Sequence, residues 1–216
     1  MIYNESMNSS KALTICFPHK PGSGGPGSFQ YRFETAIKEI GWKVIYPENK
    51  DVLPDIILVI GGTKKLYWLW RMKNAGIPIL HRLDGLSWLH KSNPQISVFV
   101  QGEIRNTIFR FIHAFLATKI VYQSNFVKDW WLRKGWSKKK QAATIYNGID
   151  LTVFKPRNDG NIKKSLLCVE GTLDYSPYAI DLLNTLQEQL VDTSVYSNII
   201  LYGGFHQKKN LSRLNS

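Results

Sequence analysis

The feature of this sequence that most constrains its fold is an alternation of short apolar runs with longer segments of helical period. Residues 13–17, 43–46 and 55–60 are runs of strand length, rich in Ile, Val and Leu. Residues 29–40 instead repeat apolar side chains on one helical face, which consists of Phe29, Phe33, Ala36, Ile37 and Ile40. Strands that alternate with helices favour a mostly parallel sheet covered on both faces. The sequence therefore predicts an α/β fold.

The alternation continues through the next ninety residues or so. It predicts helices over residues 65–75, from residue 104 and over 125–134, and strands over 77–80, 119–122 and 143–146. The first of these helices is expected to end at Gly76. In the helix over residues 125–134, the side chains expected to face inward are Phe126, Val127, Trp130 and Trp131.

A change of composition marks a boundary near residue 154. Residues 150–164 are polar and rich in turn formers, which predicts a linker. We therefore expect one domain over residues 1–154 and a second unit over 155–216. The second unit has a strand over 166–169, a strand over 198–202 and, between them, a helix that Ser176 and Pro177 open, with Ile180, Leu183, Leu186 and Leu190 on one side. Its 62 residues (216 − 154) are fewer than the roughly 100 of a self-sufficient domain, so we expect it to be incomplete.

Charge and composition bound the partners and the compartment. Lys and Arg number 28 against 16 Asp and Glu, giving a net charge of +12 that favours an anionic partner: nucleic acid, an acidic membrane surface or a phosphorylated substrate. The start of the chain is polar, and residues 104–117 are interrupted by charges, so we expect neither a secretory signal nor a membrane span. Cys16 and Cys168 lack metal-ligand spacing and are expected to be buried thiols in a reducing cytoplasm.

Candidate binding residues follow the predicted strands, because ligands of open parallel sheets bind outside the strands' carboxyl ends. The glycine-rich residues 21–28 could bring backbone N–H groups close to a phosphate, or could simply make a tight turn from strand to helix. No Gly-Lys-Ser/Thr sequence closes this loop, so it is not a Walker loop.

Three further loops offer side chains, each with two interpretations. Asp84 could accept hydrogen bonds from sugar hydroxyls, or it could form a surface pair with Arg82 while His81 is a satisfied buried imidazole. The favoured interpretation of Ser124 is a helix N-cap, and the alternative is a hydroxyl that lines a cleft. The sequence Asn147-Gly148 is first a turn with positive φ.

Two segments and a glycine pair resemble family-four retaining glycosyltransferases. The segment Ile-Tyr-Asn-Gly-Ile-Asp over residues 145–150, followed by Phe154 and Pro156, resembles the Asn-Gly-Val-Asp…Phe-x-Pro segment that ends their N-terminal domain. Residues 122–129 resemble their Ser-x-Phe-x-x-Asp segment, and Gly24-Gly25 resembles their N-terminal glycine pair. The resemblance covers residues 13–156 well and residues 166–204 more thinly.

The resemblance implies a GT-B architecture, in which two Rossmann-like domains face a cleft. It implies transfer of a sugar from a nucleotide-sugar, with retention, to a glycan or lipid-linked acceptor, without a bound metal or other cofactor. Asp84 is the candidate catalytic residue. The candidate substrate-binding residues are Gly24, Gly25, His81, Arg82, Ser124, Asn147, Gly148, Asp150 and Gly171.

The sequence departs from this family in its second unit. The family places an Arg and a Lys after the first strand of that unit, but here Thr172 follows Gly171 and Ser176-Pro177 stands near the Lys position. The family's paired glutamates would lie beyond residue 216. We therefore expect a truncated enzyme with an incomplete donor site, weakly active or inactive alone.

The alternative is a non-catalytic basic module that binds an anionic membrane surface or another polyanion. Five tryptophans lie near basic residues in the sequence, namely Trp68, Trp70, Trp130, Trp131 and Trp136. Aromatic residues at helical spacing are more often core, and no nucleic-acid-binding motif is present, so we expect no nucleic-acid partner. Among these anionic partners a membrane is favoured, because the resembled family often glycosylates lipid-linked acceptors. The protein would then bind peripherally at the inner face of the membrane.

Overall fold

The structure is a computed structural model that describes residues 12–22, 24–86, 89–92, 95–135, 140–155, 165–172, 179–193 and 198–204. The chain divides into two compact units, and the division lies between Gly148 and Ile149. The boundary expected from composition lies slightly further along, between residues 154 and 155.

The first unit contains a six-stranded sheet in which every neighbouring pair of strands is parallel. Its strands are β1 (Thr14–Cys16), β2 (Lys43–Ile45), β3 (Ile56–Ile60), β4 (Ile79–Leu83), β5 (Lys119–Tyr122) and β6 (Ala142–Thr144). They lie in the order β2-β1-β3-β4-β5-β6. The prediction of an α/β, Rossmann-like parallel sheet is confirmed.

Helices cover both faces of this sheet. They are α1 (Gly24–Glu39), α2 (Leu66–Asn74), α3 (Ile96–Phe111), which continues into a π-helical segment (Ile112–Leu116), and α4 (Asn125–Arg133). On one face, Leu58 and Ile60 pack with Ile37 of α1. On the other face, Ile57 and Val59 pack with α2 and the π-helical segment. Alternate residues of one strand thus enter two separate cores, as expected of a strand buried on both faces.

Two lysines hold the end of the π-helical segment. Lys140 Nζ donates to the carbonyl oxygens of Ala114 (2.9 Å) and Ala117 (2.8 Å), and also to that of His113. Lys73 Nζ donates to the carbonyl oxygen of Phe115. Carbonyl groups at a helix C-terminus have no partners within the helix, and cations there also interact favourably with the helix dipole. Burial, and secondarily the charge of Lys73, lowers the pKa of Lys140.

Strand β4 is the main departure from the predicted strands. It runs three residues past the expected end at residue 80, so His81 and Arg82 lie inside the strand and not in the loop after it. Both side chains are buried. A polar side chain can remain in a buried strand when it has hydrogen-bond partners, and each of these two side chains has at least one.

The inward faces of two helices also differ from those predicted. The buried residues of α1 are Gly27, Gln30, Glu34 and Ile37, whereas Ala36 and Ile40 are exposed. On α4, Val127 and Trp131 are buried as predicted, but Phe126 is 71% exposed. These predictions were wrong for Ala36, Ile40 and Phe126.

The second unit contains β7 (Ser165–Thr172), α5 (Ala179–Thr193) and β8 (Asn198–Gly204), and its two strands pair in parallel. Strand β7 extends past the predicted end at residue 169, with a register shift between Val169 and Thr172. Ile180 and Leu183 of α5 are buried, as the pattern predicts. The proposed cap at Ser176 and Pro177 lies outside the described residues. None of the helices that the structure describes has both the length and the apolarity to cross a membrane.

Candidate functional site

A cleft of about 730 Å³ opens in the first unit where the strand order reverses, between β1 and β3. The carboxyl ends of β3 and β4 and the first turn of α1 contribute to it through Gly61, Asp84 and Pro26. Helix α3 closes another side with Arg105 and Phe109. A reversal of strand order is where open α/β sheets bind ligands, and this volume is typical of a small-molecule site.

Glycines allow the wall beside β3 to form. A Cβ atom on Gly62 would lie 2.3 Å from the ring of Phe109, a distance that real Cβ contacts do not show. Gly61 has a φ of 66°, in the left-handed region that favours glycine. The aromatic ring of α3 therefore packs directly on backbone at the end of β3. Phe109 was not predicted from the sequence as a cleft residue.

Asp84 is the first residue after β4, and it lines the cleft. Its Oδ1 lies 2.8 Å from Arg82 Nη1, and its backbone carbonyl accepts a 3.0 Å hydrogen bond from Trp131 Nε1. Burial raises the pKa of Asp84, while the neighbouring Arg82 acts in the opposite direction. The structure thus places a carboxylate with reduced solvation at the edge of the cleft, held on both its side chain and its backbone.

Arg82 joins the carboxyl ends of three strands. Besides Asp84, its guanidinium donates to Gln123 Oε1 (3.1 Å) after β5 and to Asn147 Oδ1 (2.8 Å) after β6. It also lies over the ring of Phe29, 3.8 Å from the centroid. The Arg82–Asp84 pair expected as one alternative exists, but the arginine side chain is only 4% exposed, so the expectation of a surface pair was wrong. Arg82 itself is not one of the residues that line the cleft.

His81 holds the other wall of the cleft in place. Its Nε2 lies 2.6 Å from the carbonyl oxygen of Gly61, and burial lowers the pKa of His81 to about 3. The imidazole is therefore neutral and donates from Nε2 to Gly61. Its Nδ1 has no hydrogen-bond partner in the described part of the chain, so the buried imidazole is only half satisfied.

The glycine pair lies in the first turn of α1 and not in a loop before it. Gly24 has a φ of 82°, and outside the adjoining backbone no atom of the described residues lies within 4 Å of the positions where a Cβ on Gly24 or Gly25 would stand. Gly27 differs, because its Cβ would lie 1.8 Å from the carbonyl oxygen of Gly22. Two glycines thus leave the helix start open to a ligand, while the third allows the preceding loop to pack on the helix.

A buried polar network fixes the loop after β1 against α1. Gln30 Nε2 donates to the carbonyl oxygen of His19 (2.7 Å) and to Glu34 Oε1 (2.8 Å). Tyr46 Oη donates to Glu34 Oε2 at 2.8 Å, and burial raises the pKa of Tyr46. His19 lines the cleft, so this network positions a cleft residue. Sequence reasoning missed Gln30 and Glu34, although their spacing to Gly27 and Ile37 is helical.

Of the remaining predicted residues, Ser124 and Gly148 do not line the cleft. Ser124 Oγ accepts a 3.2 Å hydrogen bond from the backbone N–H of Val127, so Ser124 is a helix N-cap, as its first interpretation had it. Gly148 is not among the glycines with positive φ, so the turn predicted there was wrong. Asp150, whose Oδ1 accepts from both the backbone N–H and the hydroxyl of Thr152, and Gly171 in β7 belong to the second unit.

No family model matches this chain, and no curated protein matches it significantly. The fold and the cleft therefore define it as a Rossmann-like α/β protein with a candidate small-molecule site at the reversal of its strand order.

Proposed function

We propose that this protein is a glycosyltransferase of the family-four type that transfers a sugar from a nucleotide-sugar to a glycan or lipid-linked acceptor. One observation carries the proposal: the cleft lies at the reversal of strand order, beside a helix start that two glycines leave open. A helix N-terminus offers unpaired N–H groups and the positive end of the helix dipole. The diphosphate of a nucleotide-sugar carries the matching charge.

The side chains of the cleft support an anionic sugar-containing ligand. Lys64 and Arg105 both line it and bring positive charge to it. Asp84 also lines it, and in the proposed site it accepts hydrogen bonds from sugar hydroxyls. In this proposal Arg82 and Asn147 act by fixing the side chain of Asp84, and His81 acts by fixing the backbone at Gly61. The absence of a metal requirement stays a prediction.

A binding assay with an isosteric variant tests the proposal. Calorimetry measures the affinity of the purified protein for nucleotide-sugars of several bases. We expect Asp84→Asn to weaken binding at least about tenfold, since a hydrogen bond to a charged group contributes roughly 1.5–3 kcal/mol. Asp51→Asn, at an exposed position that does not line the cleft, is the matched control. Equal affinities for the two variants would exclude Asp84 from the sugar site.

A second candidate function is binding to an anionic membrane surface, and one exposed surface favours it. Tyr67 and Trp70 of α2 are stacked, with their ring centroids 5.9 Å apart. Their side chains are 70% and 50% exposed, respectively. Lys73, one turn further along α2, donates to the backbone carbonyl oxygen of Phe115, whose side chain is also exposed. Exposed aromatic rings beside cations are typical of proteins that bind membrane interfaces. Trp131, one of the tryptophans that suggested such binding, is instead fully buried.

A further inference from the structure

Helix α3 presents apolar side chains to solvent and buries a small and a polar residue. Its buried residues are Gly102 and Asn106. Ile96, Val100 and Ile104, each four positions apart, are 80%, 47% and 54% exposed. Apolar side chains at this spacing form a continuous stripe on one face of a helix, and an exposed apolar patch is typical of a binding surface. Packing within the first unit does not bury this stripe, so it is available to a ligand.

The stripe borders an open cavity of about 320 Å³, which we call the α3 groove. The described residues that line the groove all belong to α3 and are Phe99, Val100, Glu103, Ile104, Thr107 and Ile108. Four of these six are apolar. Between Phe99 and Ile108 the helix rises about 14 Å, at 1.5 Å per residue. An elongated apolar groove of this kind suits a hydrocarbon chain.

A buried histidine holds the residues of the α3 groove. A Cβ atom on Gly102 would lie 2.2 Å from the ring of His90, so the backbone of α3 packs directly on the imidazole. His90 Nε2 lies 2.8 Å from Glu103 Oε1, and the ring centroids of His90 and Phe99 are 5.6 Å apart. Two groove residues are therefore fixed by contacts within the protein. Sites for small molecules are usually formed before the ligand arrives, and the α3 groove meets this condition.

The α3 groove is continuous with the cleft. Ile108 lines both of them, and Arg105, which lines the cleft, directly follows the groove residue Ile104. A ligand that extends from the groove into the cleft must therefore be apolar at one end and polar at the other, with a cation where the two parts meet. Charge complementarity favours an anionic group at that point. A free glycan has no apolar chain, whereas a lipid phosphate has both parts.

We propose that the α3 groove binds the hydrocarbon chain of a lipid-linked acceptor, with the phosphate of that lipid beside Arg105 and its polar end in the cleft. This inference rests on the proposed function. It narrows the acceptor to a lipid phosphate and excludes a free glycan. It also gives the lipid chain a binding site of its own, formed by α3 and not by the aromatic rings of α2.

Calorimetric titrations with butyl phosphate and octyl phosphate, both as monomers in solution, test the inference. We expect octyl phosphate to bind at least about tenfold more tightly, because each methylene that becomes buried adds to the affinity. Ile104→Ser should weaken octyl phosphate several-fold and leave butyl phosphate unchanged. Ile40→Ser, at an isoleucine that is also 54% exposed but does not line the groove, is the matched control. Arg105→Gln should weaken both probes by a similar factor.

The failure of this inference can be distinguished from the failure of the proposed function. If octyl phosphate binds no more tightly than butyl phosphate, or if Ile104→Ser and Ile40→Ser act alike, the groove proposal is wrong, and the binding of nucleotide-sugars still decides the proposed function. If octyl phosphate binds as expected but no nucleotide-sugar does, the proposed function is wrong and the groove has no acceptor role.

Sedimentation velocity without a probe tests a second copy of the chain as the occupant. We expect the same sedimentation for the unsubstituted protein and for Ile104→Ser. A dimer that Ile104→Ser dissociates would show that the stripe is an interface between two copies, and it would overturn the proposal. Ile104 is exposed, so an unchanged melting temperature for Ile104→Ser would show that the fold is intact.

Discussion

The guanidinium of Arg82 donates a 2.8 Å hydrogen bond to the side-chain oxygen of Asn147, although the two residues are 65 positions apart in the sequence. The same guanidinium pairs with Asp84 and donates to Gln123. One buried cation thus fixes the polar residues that follow three neighbouring strands. Since Asp84 lines the cleft and Arg82 does not, the geometry of the cleft depends on a residue behind it.

Replacing this cation should destabilise the protein strongly. We expect Arg82→Met to lower the free energy of unfolding by about 3 kcal/mol, because it leaves a largely buried carboxylate without its partner. Urea denaturation measures the change. Lys65→Met removes a partner from the exposed ion pair with Glu48 and should produce no measurable change. Similar losses for the two variants would mean that the Arg82 network contributes no more than a surface pair.

Stability should fall with acidity because His81 is buried in its neutral form. The pKa of His81 is about 3 in the folded protein against an ordinary value of 6.5, so below pH 6.5 the unfolded chain binds a proton that the folded protein does not. The stabilisation is complete above pH 6.5 and is lost progressively as the pH falls toward 3. As the pH falls from 7 to 5, we expect the free energy of unfolding of His81→Gln to decrease by about 2 kcal/mol less than that of the unsubstituted protein. Parallel pH profiles in urea denaturation would contradict a neutral, buried His81.

The glycines of the first turn of α1 should respond differently to alanine. Gly27→Ala should cost about 1–3 kcal/mol, because its Cβ would overlap the carbonyl oxygen of Gly22 and the loop must move. Gly25→Ala meets open space at a helical position, so its stability should be unchanged or slightly raised. Thermal unfolding of the two variants compares them directly. A loss at Gly25 equal to that at Gly27 would show that the helix start is not open.

Binding to anionic vesicles should depend on the aromatic surface of α2. We expect association with phosphatidylserine vesicles to weaken from low to high salt, since ions screen surface charge over roughly 8 Å at physiological ionic strength. Trp70→Ser should weaken it several-fold, whereas Phe126→Ser, at an equally accessible aromatic residue of α4, should not. Vesicle sedimentation measures both. Equal binding to neutral vesicles, or equal effects of the two variants, would count against this surface.

Most of the sheet could be predicted from the sequence, because each buried strand is a run of apolar residues between polar segments. Strand β5 agrees with its predicted range, and β3 begins within a residue of it. Strand β4 could not be bounded in the same way. Its last residues include His81 and Arg82, whose partners at Gly61, Gln123 and Asn147 come from distant parts of the sequence. Hydrogen bonds of that range leave no local pattern.

The position of the candidate site could be predicted from the sequence better than the identity of its residues. Ligand residues were expected after the strands, and Asp84 does line a cleft there. The contribution of α3 was missed, because Arg105 and Phe109 come from the middle of a helix that approaches the strand ends only in the folded chain. Gln30 and Glu34 were missed because the helical pattern was sought among apolar residues, whereas the inward face of α1 contains polar ones.

The most direct test of the central claim is the affinity of the Gly25→Ala variant for a nucleoside diphosphate, measured by calorimetry. The stability of the same variant is measured in parallel. A diphosphate at the start of α1 needs the space that Gly25 leaves empty, and a methyl group would fill it. The proposal predicts at least about tenfold weaker binding, with unfolding unchanged or slightly improved, because the loss of even one hydrogen bond to a charged group has this magnitude. Unchanged affinity in a folded Gly25→Ala protein would contradict a diphosphate site at this helix start.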